Sequence, residues 1–173
     1  AFQLPPVGAF SQIGLFFDFE PTTKHYYNLF YNLGFSTYLM NSIIAAGGSA
    51  VVSVVLGSMA AYSLSRVDFR GKGDLFFWII STRMAPVVAV LVPLYAIFRG
   101  FDLIGTRTGL ILAYTTFNLP FAIWILKGFF DNVPFAIEEA SMVDGSTRFQ
   151  AFRAILPLVA PGIGAFLVLC VLF

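Results

Sequence analysis

This sequence predicts an all-α membrane protein, a polytopic bundle of transmembrane helices, and three observations lead there. Of its 173 residues, 58% are hydrophobic and 17% aromatic, yet only 11% are charged. An ordinary soluble domain has roughly 25% charged and about 45–50% apolar residues. Mean hydropathy is +0.85, and the apolar residues gather into runs close to the ~20 residues that span a hydrocarbon core of about 30 Å. The residue alternation of a transmembrane barrel strand is absent. The 21 phenylalanines exclude disorder, the single Cys170 excludes a disulfide scaffold, and a net charge of +1 offers nucleic acid no basic surface.

Residues 1–38 form an aromatic, mixed segment suited to the extracytoplasmic interface, where Tyr and Phe sit at headgroup level. Residues 1–15 lack the basic start, continuous apolar core and small-residue cleavage site of a secretory signal. The first span is expected over 39–65 and carries no charge. Within it Gly47 and Gly48, flanked by Ala45, Ala46 and Ser49, suit close helix–helix contact. The second is expected over 75–98, interrupted by Arg83, Pro86 and Pro93. Arg83 falls about 12 Å from the start of that helix at 1.5 Å per residue, deep enough to touch a transport path or to snorkel toward the interface. The third covers 109–130, with Thr115, Thr116, Asn118 and Pro120 at mid-span. Such a polar, proline-broken stretch either lines a path or satisfies itself against a neighbour. Trp78 and Trp124 suit interfacial or packing positions. A fourth run, 158–173, is short for a span where the sequence stops, so the chain reads as an excerpt of a longer protein.

Charge orients these spans. Lys24 is the one Lys or Arg before the first span; Arg66, Arg70 and Lys72 follow it. Arg99 and Arg107 follow the second span, and Lys127, Arg148 and Arg153 surround the last connection. Alternate sides thus hold six and three, and the richer side is expected in the cytoplasm. That places the connection 131–157 inside.

The connection 131–157 has internal structure. Asn132 as a cap and Pro134 in the first turn start a short helix, and Glu138 and Glu139 fall where its N-terminal dipole favours anions. Phe135, Ile137, Ala140 and Val143 give it an apolar surface. Asp144–Gly145 ends it, and Ser146 or Thr147 caps a second short helix running to Pro157. The alternatives are a knob at the cytoplasmic face or an amphipathic hairpin lying on lipid.

The string "EEASMVDGSTRFQAFRAILP" resembles the EAA loop of the membrane subunits of binding-protein-dependent ABC importers. Glu139 and Ala140 match its opening, Ser141 replaces its second alanine, and Gly145 and Ile155 fall at the expected spacing. Leu156–Pro157 follow directly, one residue early, which leaves the register of the second short helix open. "AAYSLSRVDFRGK", "STRMAP", "GLILAYTTFNLPFAIWILKGFF" and "LPLVAPG" are similar to the carbohydrate-uptake branch, in particular its maltose-type second permease.

The resemblance implies an ABC importer permease bundle with six spans in the complete chain, of which this stretch holds the second through fourth and most of the fifth. It implies inner-membrane localisation, a second permease subunit, two ATPase subunits and an extracytoplasmic solute-binding protein as partners, and a sugar-like solute. Glu138, Glu139, Ala140, Ser141, Asp144 and Gly145 then form the ATPase-coupling loop, while Arg83, Thr115, Thr116 and Asn118 are candidates for the translocation path. No phosphate-binding loop is present: Lys72 in "RGKGD" and Lys127 in "LKGFF" lack its pattern. The chain is therefore not expected to be an enzyme or to bind a cofactor, ATP and magnesium being used by the partner ATPase. No Asp or Glu lies in the spans, against an ion-driven transporter, and His25 alone cannot supply a metal cluster or a catalytic triad. The alternative function is an ATPase-independent channel or facilitator.

Overall fold

The computed structural model describes Phe30 and residues 34–172, with side chains through Cys170. The chain divides into two compact units, Ala1–Leu39 and Met40–Phe173, and all the packing below lies within the second. The expected interfacial segment 1–38 lies outside the described residues except for Phe30 and residues 34–38.

Among the described residues six helices follow in order. α1 is Phe35–Arg66, α2 Lys72–Ser81, α3 Val87–Gly100, α4 Arg107–Asp131, α5 Phe135–Val143 and α6 Arg148–Leu172, with a 3-10 turn at Thr82–Met84 after α2. Helices α1, α4 and α6 are each long and apolar enough to cross a membrane. α1 has 32 residues without a charge before Arg66, a length of roughly 48 Å at 1.5 Å per residue.

The single span expected over 75–98 is instead two helices. α2 with its 3-10 turn meets α3 at a bend of 95°. The cause is local: Pro86 has no amide donor, and the residue before a proline is driven out of the helical region. Ala85 is accordingly extended, at φ −64°, ψ 134°. Neither half alone reaches ~30 Å, since 10–14 residues give about 15–21 Å.

The contacts of α1 and α4 decide what this bent pair does. Arg107 Nε donates to Asn41 Oδ1 at 3.0 Å at one end, and Ser65 Oγ donates to Asp131 Oδ1 at 2.6 Å at the other. Between them Gly48 faces Ile111 and Gly57 faces Ala122. The two helices therefore run parallel, and the connection from Arg66 to Arg107 has to return the chain from one end of the bundle to the other. The bent pair is a broken crossing rather than a re-entrant loop. α6 runs back antiparallel, with Phe152 beside Tyr62 and Phe166 beside Phe121.

In lipid, helices associate through close van der Waals contact rather than through apolar burial, so small residues collect at their interfaces. Ala50 and Ala61 of α1 meet Ala122, Leu126 and Phe130 of α4 and Ile155, Val159 and Phe166 of α6 in one core. A Cβ on Gly57 would stand 2.7 Å from the Ala122 Cβ, and one on Gly48 would stand 2.9 Å from Ile111 Cδ1. Gly47, paired with Gly48 in the sequence expectation, has open space at its Cα. Helices α2 and α3 contribute no buried residue, so the broken crossing lies outside this core.

Two further departures concern the last connection. Asn132 does not start α5; it ends α4, its side-chain amide donating to the Gly128 carbonyl at 2.8 Å, and Pro134 precedes the first residue of α5. The second short helix and the fourth span are one continuous helix, α6, with Pro157 and Pro161 inside it. Four residues apart and both exposed, the prolines share a helix face away from the core, where Ile155 and Val159 are fully buried.

Substituting Gly57→Leu forces the α1–α4 contact apart and is expected to cost about 1–3 kcal/mol. Ser53 is fully buried with no hydrogen-bond partner for its hydroxyl among the described residues; Ser53→Ala is therefore expected to be neutral or to stabilise by up to about 1 kcal/mol. Thermal unfolding of the purified full-length protein in detergent checks both signs.

Candidate functional site

The end of the bundle that carries Arg66 also carries the α4–α5–α6 connection, so the two basic connections lie together. α5 has nine residues, and its one buried side chain is Glu138, 2% exposed. Its apolar side chains point outward instead: Phe135 is 47% exposed, Ile137 41% and Val143 87%. A short surface helix normally buries its apolar stripe and exposes its charges. Here the arrangement is reversed.

Arg66 holds Glu138. Its Nε pairs with Glu138 Oε1, and the two side chains are 8% and 3% exposed. Its Nη2 donates to the Val133 carbonyl at 2.9 Å and its Nη1 to Ser65 Oγ at 3.4 Å. The guanidinium also lies over the Phe135 ring, 5.3 Å from its centroid. One planar cation thus ties the last residue of α1 to the loop before α5 and to two residues of α5, a set of simultaneous contacts that a lysine cannot reproduce. The second carboxylate oxygen accepts from Tyr62, whose hydroxyl lies 2.9 Å from Oε2. The Tyr62 ring packs edge-on against Phe130 of α4 at 5.8 Å and Phe152 of α6 at 4.9 Å.

Beside this cluster, Asp131 accepts from Ser65 on one oxygen and from Lys127 on the other, each at 2.6 Å. The Lys127 ammonium sits 5.2 Å from the centroid of the Phe76 ring on α2. The end of α4 is in this way joined to α1 and to the first half of the broken crossing.

The end of α5 has a full Schellman closure. Gly145 stands at φ +89°, its amide donates to the Met142 carbonyl at 3.0 Å, and the Ser146 amide donates to the Ser141 carbonyl at 3.1 Å. Of the two hydroxyls expected to cap the next helix, Thr147 is the one that does. Its amide donates to Gln150 Oε1 at 2.7 Å, and the Gln150 amide returns to Thr147 Oγ1 at 3.4 Å.

The six residues expected in the coupling loop separate by position. Glu138 faces inward to Arg66; Glu139, Ala140, Asp144 and Gly145 are exposed, and Ser141 is half-buried. The four path candidates do not gather. Arg83 lies in the 3-10 turn at the break, its guanidinium 4.7 Å from the Phe121 ring centroid. Thr115 and Thr116 donate to the Ile111 and Leu112 carbonyls of their own helix at 2.8 and 2.9 Å, and Asn118 is half-buried. None of the four lines the cavity of about 410 Å³ at the opposite end, between α3 and the start of α4, where Asn41, Tyr95 and Arg107 are found.

Sequence reasoning counted Arg66 and Lys127 as orienting charges, set Lys127 aside as a phosphate-loop lysine, and missed Tyr62, Ser65 and Asp131 altogether. One signal was available for Arg66: a lone cation closing a charge-free run needs a counter-ion if it is buried, and two adjacent glutamates stand in the only long connection.

The family model for the binding-protein-dependent transport system inner membrane component matches residues 53–173. The chain is 41% identical over 153 residues to the trehalose transport system permease protein SugB of Mycobacterium tuberculosis, which covers 88% of this chain and 56% of that one. It is 34% identical over 143 residues to the diacetylchitobiose uptake system permease protein NgcG of Streptomyces coelicolor, covering 82% and 47%. With the inner membrane ABC transporter permease protein YcjP of Escherichia coli the figures are 36% over 152 residues, covering 86% and 54%. The chain thus spans about half the length of the curated relatives it matches. A solved bacterial ABC transporter involved in importing the acidic polysaccharide alginate shares the fold, with a TM-score of 0.66 at 24% identity over 77% of this chain and 46% of that one. The chain belongs to the family of binding-protein-dependent transport system inner membrane components, the permeases of ABC importers.

Proposed function

We propose that the chain is part of the permease of an ATP-driven importer for a sugar or sugar-like solute, and that α5 couples it to a separate ATPase subunit. The observation that carries this reading is the reversed α5, which buries Glu138 and presents Phe135, Ile137, Met142 and Val143. Apolar side chains held outward on a short helix by a built anchor fit a complementary groove. In the same reading Glu139, Ala140 and Gly145 belong to the docking surface, with Ala140 keeping one face thin enough for close approach. ATP and magnesium act in that ATPase, a second permease subunit completes the path, and a solute-binding protein delivers the solute at the opposite face. The names of SugB and NgcG, which concern trehalose and diacetylchitobiose, support a sugar as the solute class. We place Arg83 on the path, because it is a cation at the break of the one crossing that is bent. Asn118, Thr115 and Thr116 lie on α4 within two turns of Phe121, the ring that Arg83 covers, the two threonines with their hydroxyls turned onto their own helix.

Cross-linking tests the docking. In the full-length protein with Cys170→Ala as background, Met142→Cys is expected to form a specific cross-link to the co-expressed ATPase subunit, and its yield is expected to change with ATP. A residue-142 thiol that is accessible in inserted protein yet never cross-links would favour an ATPase-independent channel with α5 lying on lipid. A second expectation concerns Gly145→Val. A side chain at φ +89° meets a left-handed penalty of about 1–2 kcal/mol, more for a β-branched residue. This variant is expected to insert normally and to lose the ATP-dependent cross-link. An unchanged cross-link would remove Gly145 from the coupling element.

A further inference from the structure

We infer that Arg66 and Tyr62 are positioning residues: with Glu138 they form a clasp through which displacement of α5 reaches the broken crossing α2–α3. The inference rests on the coupling reading of α5 and adds to it the route inside this chain.

The route is continuous in named contacts. Glu138 is held on one oxygen by Arg66 and on the other by Tyr62, residues on successive turns at the end of α1. Glu138 is the one buried side chain of α5, so it is through this side chain that a displacement of the helix reaches α1; α5 also packs on α6. From α1 the next step is Ser65 to Asp131, which moves the end of α4. Two cation–ring contacts then join α4 to the broken crossing: Lys127 of α4 over Phe76 of α2, and Arg83 of the 3-10 turn over Phe121 of α4. The bend at Ala85–Pro86 is where α2 and α3 change direction by 95°, so a small shift of α2 is converted there into a change of angle.

An ion pair suits this task better than apolar packing does. Apolar contacts are non-directional and tolerate sliding, whereas a charge-assisted pair fixed on both carboxylate oxygens has one geometry. The clasp is also largely shielded from water, which weakens its screening by salt.

The test needs no knowledge of the solute. The full-length protein, carrying Cys170→Ala and Met84→Cys, is assembled with its partner permease and ATPase subunits in liposomes. Met84 lies at the break and is 81% exposed. The rate of labelling by N-ethylmaleimide is measured with and without magnesium-ATP, together with the ATP hydrolysed. In the parent the labelling rate is expected to change with ATP. In Arg66→Ala that change, per ATP hydrolysed, is expected to fall at least about fivefold, the lower end of typical coupling strengths. Should Arg66→Ala fail to assemble, Tyr62→Phe, which removes one hydroxyl and keeps the ring packing, carries the comparison with a smaller loss in the same direction. No ATP-dependent change in the parent, or an equal change per ATP in the variants, overturns the inference. A parent that forms the residue-142 cross-link to the ATPase while failing here sinks the clasp alone; loss of that cross-link sinks the coupling reading.

Discussion

The ion pair between Arg66 and Glu138 is the constraint on which the rest of this end of the molecule depends. Burying two charges costs several kcal/mol per ion, and their attraction offsets this only where every remaining donor and acceptor is satisfied. Here each carboxylate oxygen and each guanidinium nitrogen has a partner: the carboxylate accepts from Arg66 and Tyr62, and the guanidinium also reaches Val133 and Ser65. Such a pair adds little net stability over an apolar contact of equal size, yet losing one partner costs about 3–5 kcal/mol. What it confers is a defined orientation. Because Glu138 turns inward, Ile137 and Val143, which lie about 100° and 140° around the helix from it, turn outward, and α5 becomes a surface rather than a core element.

The second constraint is the parallel course of α1 and α4. Two parallel neighbours require the chain to cross between them, and the crossing available is interrupted by Pro86. A straight helix there would pack along its whole length; the bent pair buries no residue against the core. Its attachments are instead a few contacts of Phe76 and Arg83 with α4. The small-residue contacts Gly48–Ile111 and Gly57–Ala122 let α1 and α4 approach closely. The three long helices thus share one core, and the broken crossing packs on its outside.

Much of this was legible in the residues. The helical class, the first and third spans, and the turn at Gly145 follow from hydropathy length and glycine chemistry, which are local. The grouping of both basic connections at one end follows from simple alternation. The breaks in reasoning came where local signals compete. Pro86 and Pro157 carry the same local penalty, but Pro86 sits on an element with little packing to override it, whereas Pro157 lies between the buried Ile155 and Val159 and the helix continues through it. Asn132 could cap either of two helices, and only the geometry of the end of α4 settled the choice. Arg66 and Glu138 are 72 residues apart in sequence, and no periodicity links them. Their meeting is tertiary, and the local pattern does not distinguish Glu138 from Glu139, its neighbour in the same short helix.

The most direct test of this account measures whether Glu138 alone fixes the orientation of α5. Spin labels at Met142→Cys on α5 and Met59→Cys on α1, both outward-facing residues, report their separation in the assembled full-length protein with Cys170→Ala as background. The account predicts one narrow distance distribution in the parent and a broad or split one in Glu138→Ala. A distribution in Glu138→Ala as narrow as the parent's, at the same distance, would contradict it, because α5 would then be held by contacts other than the clasp.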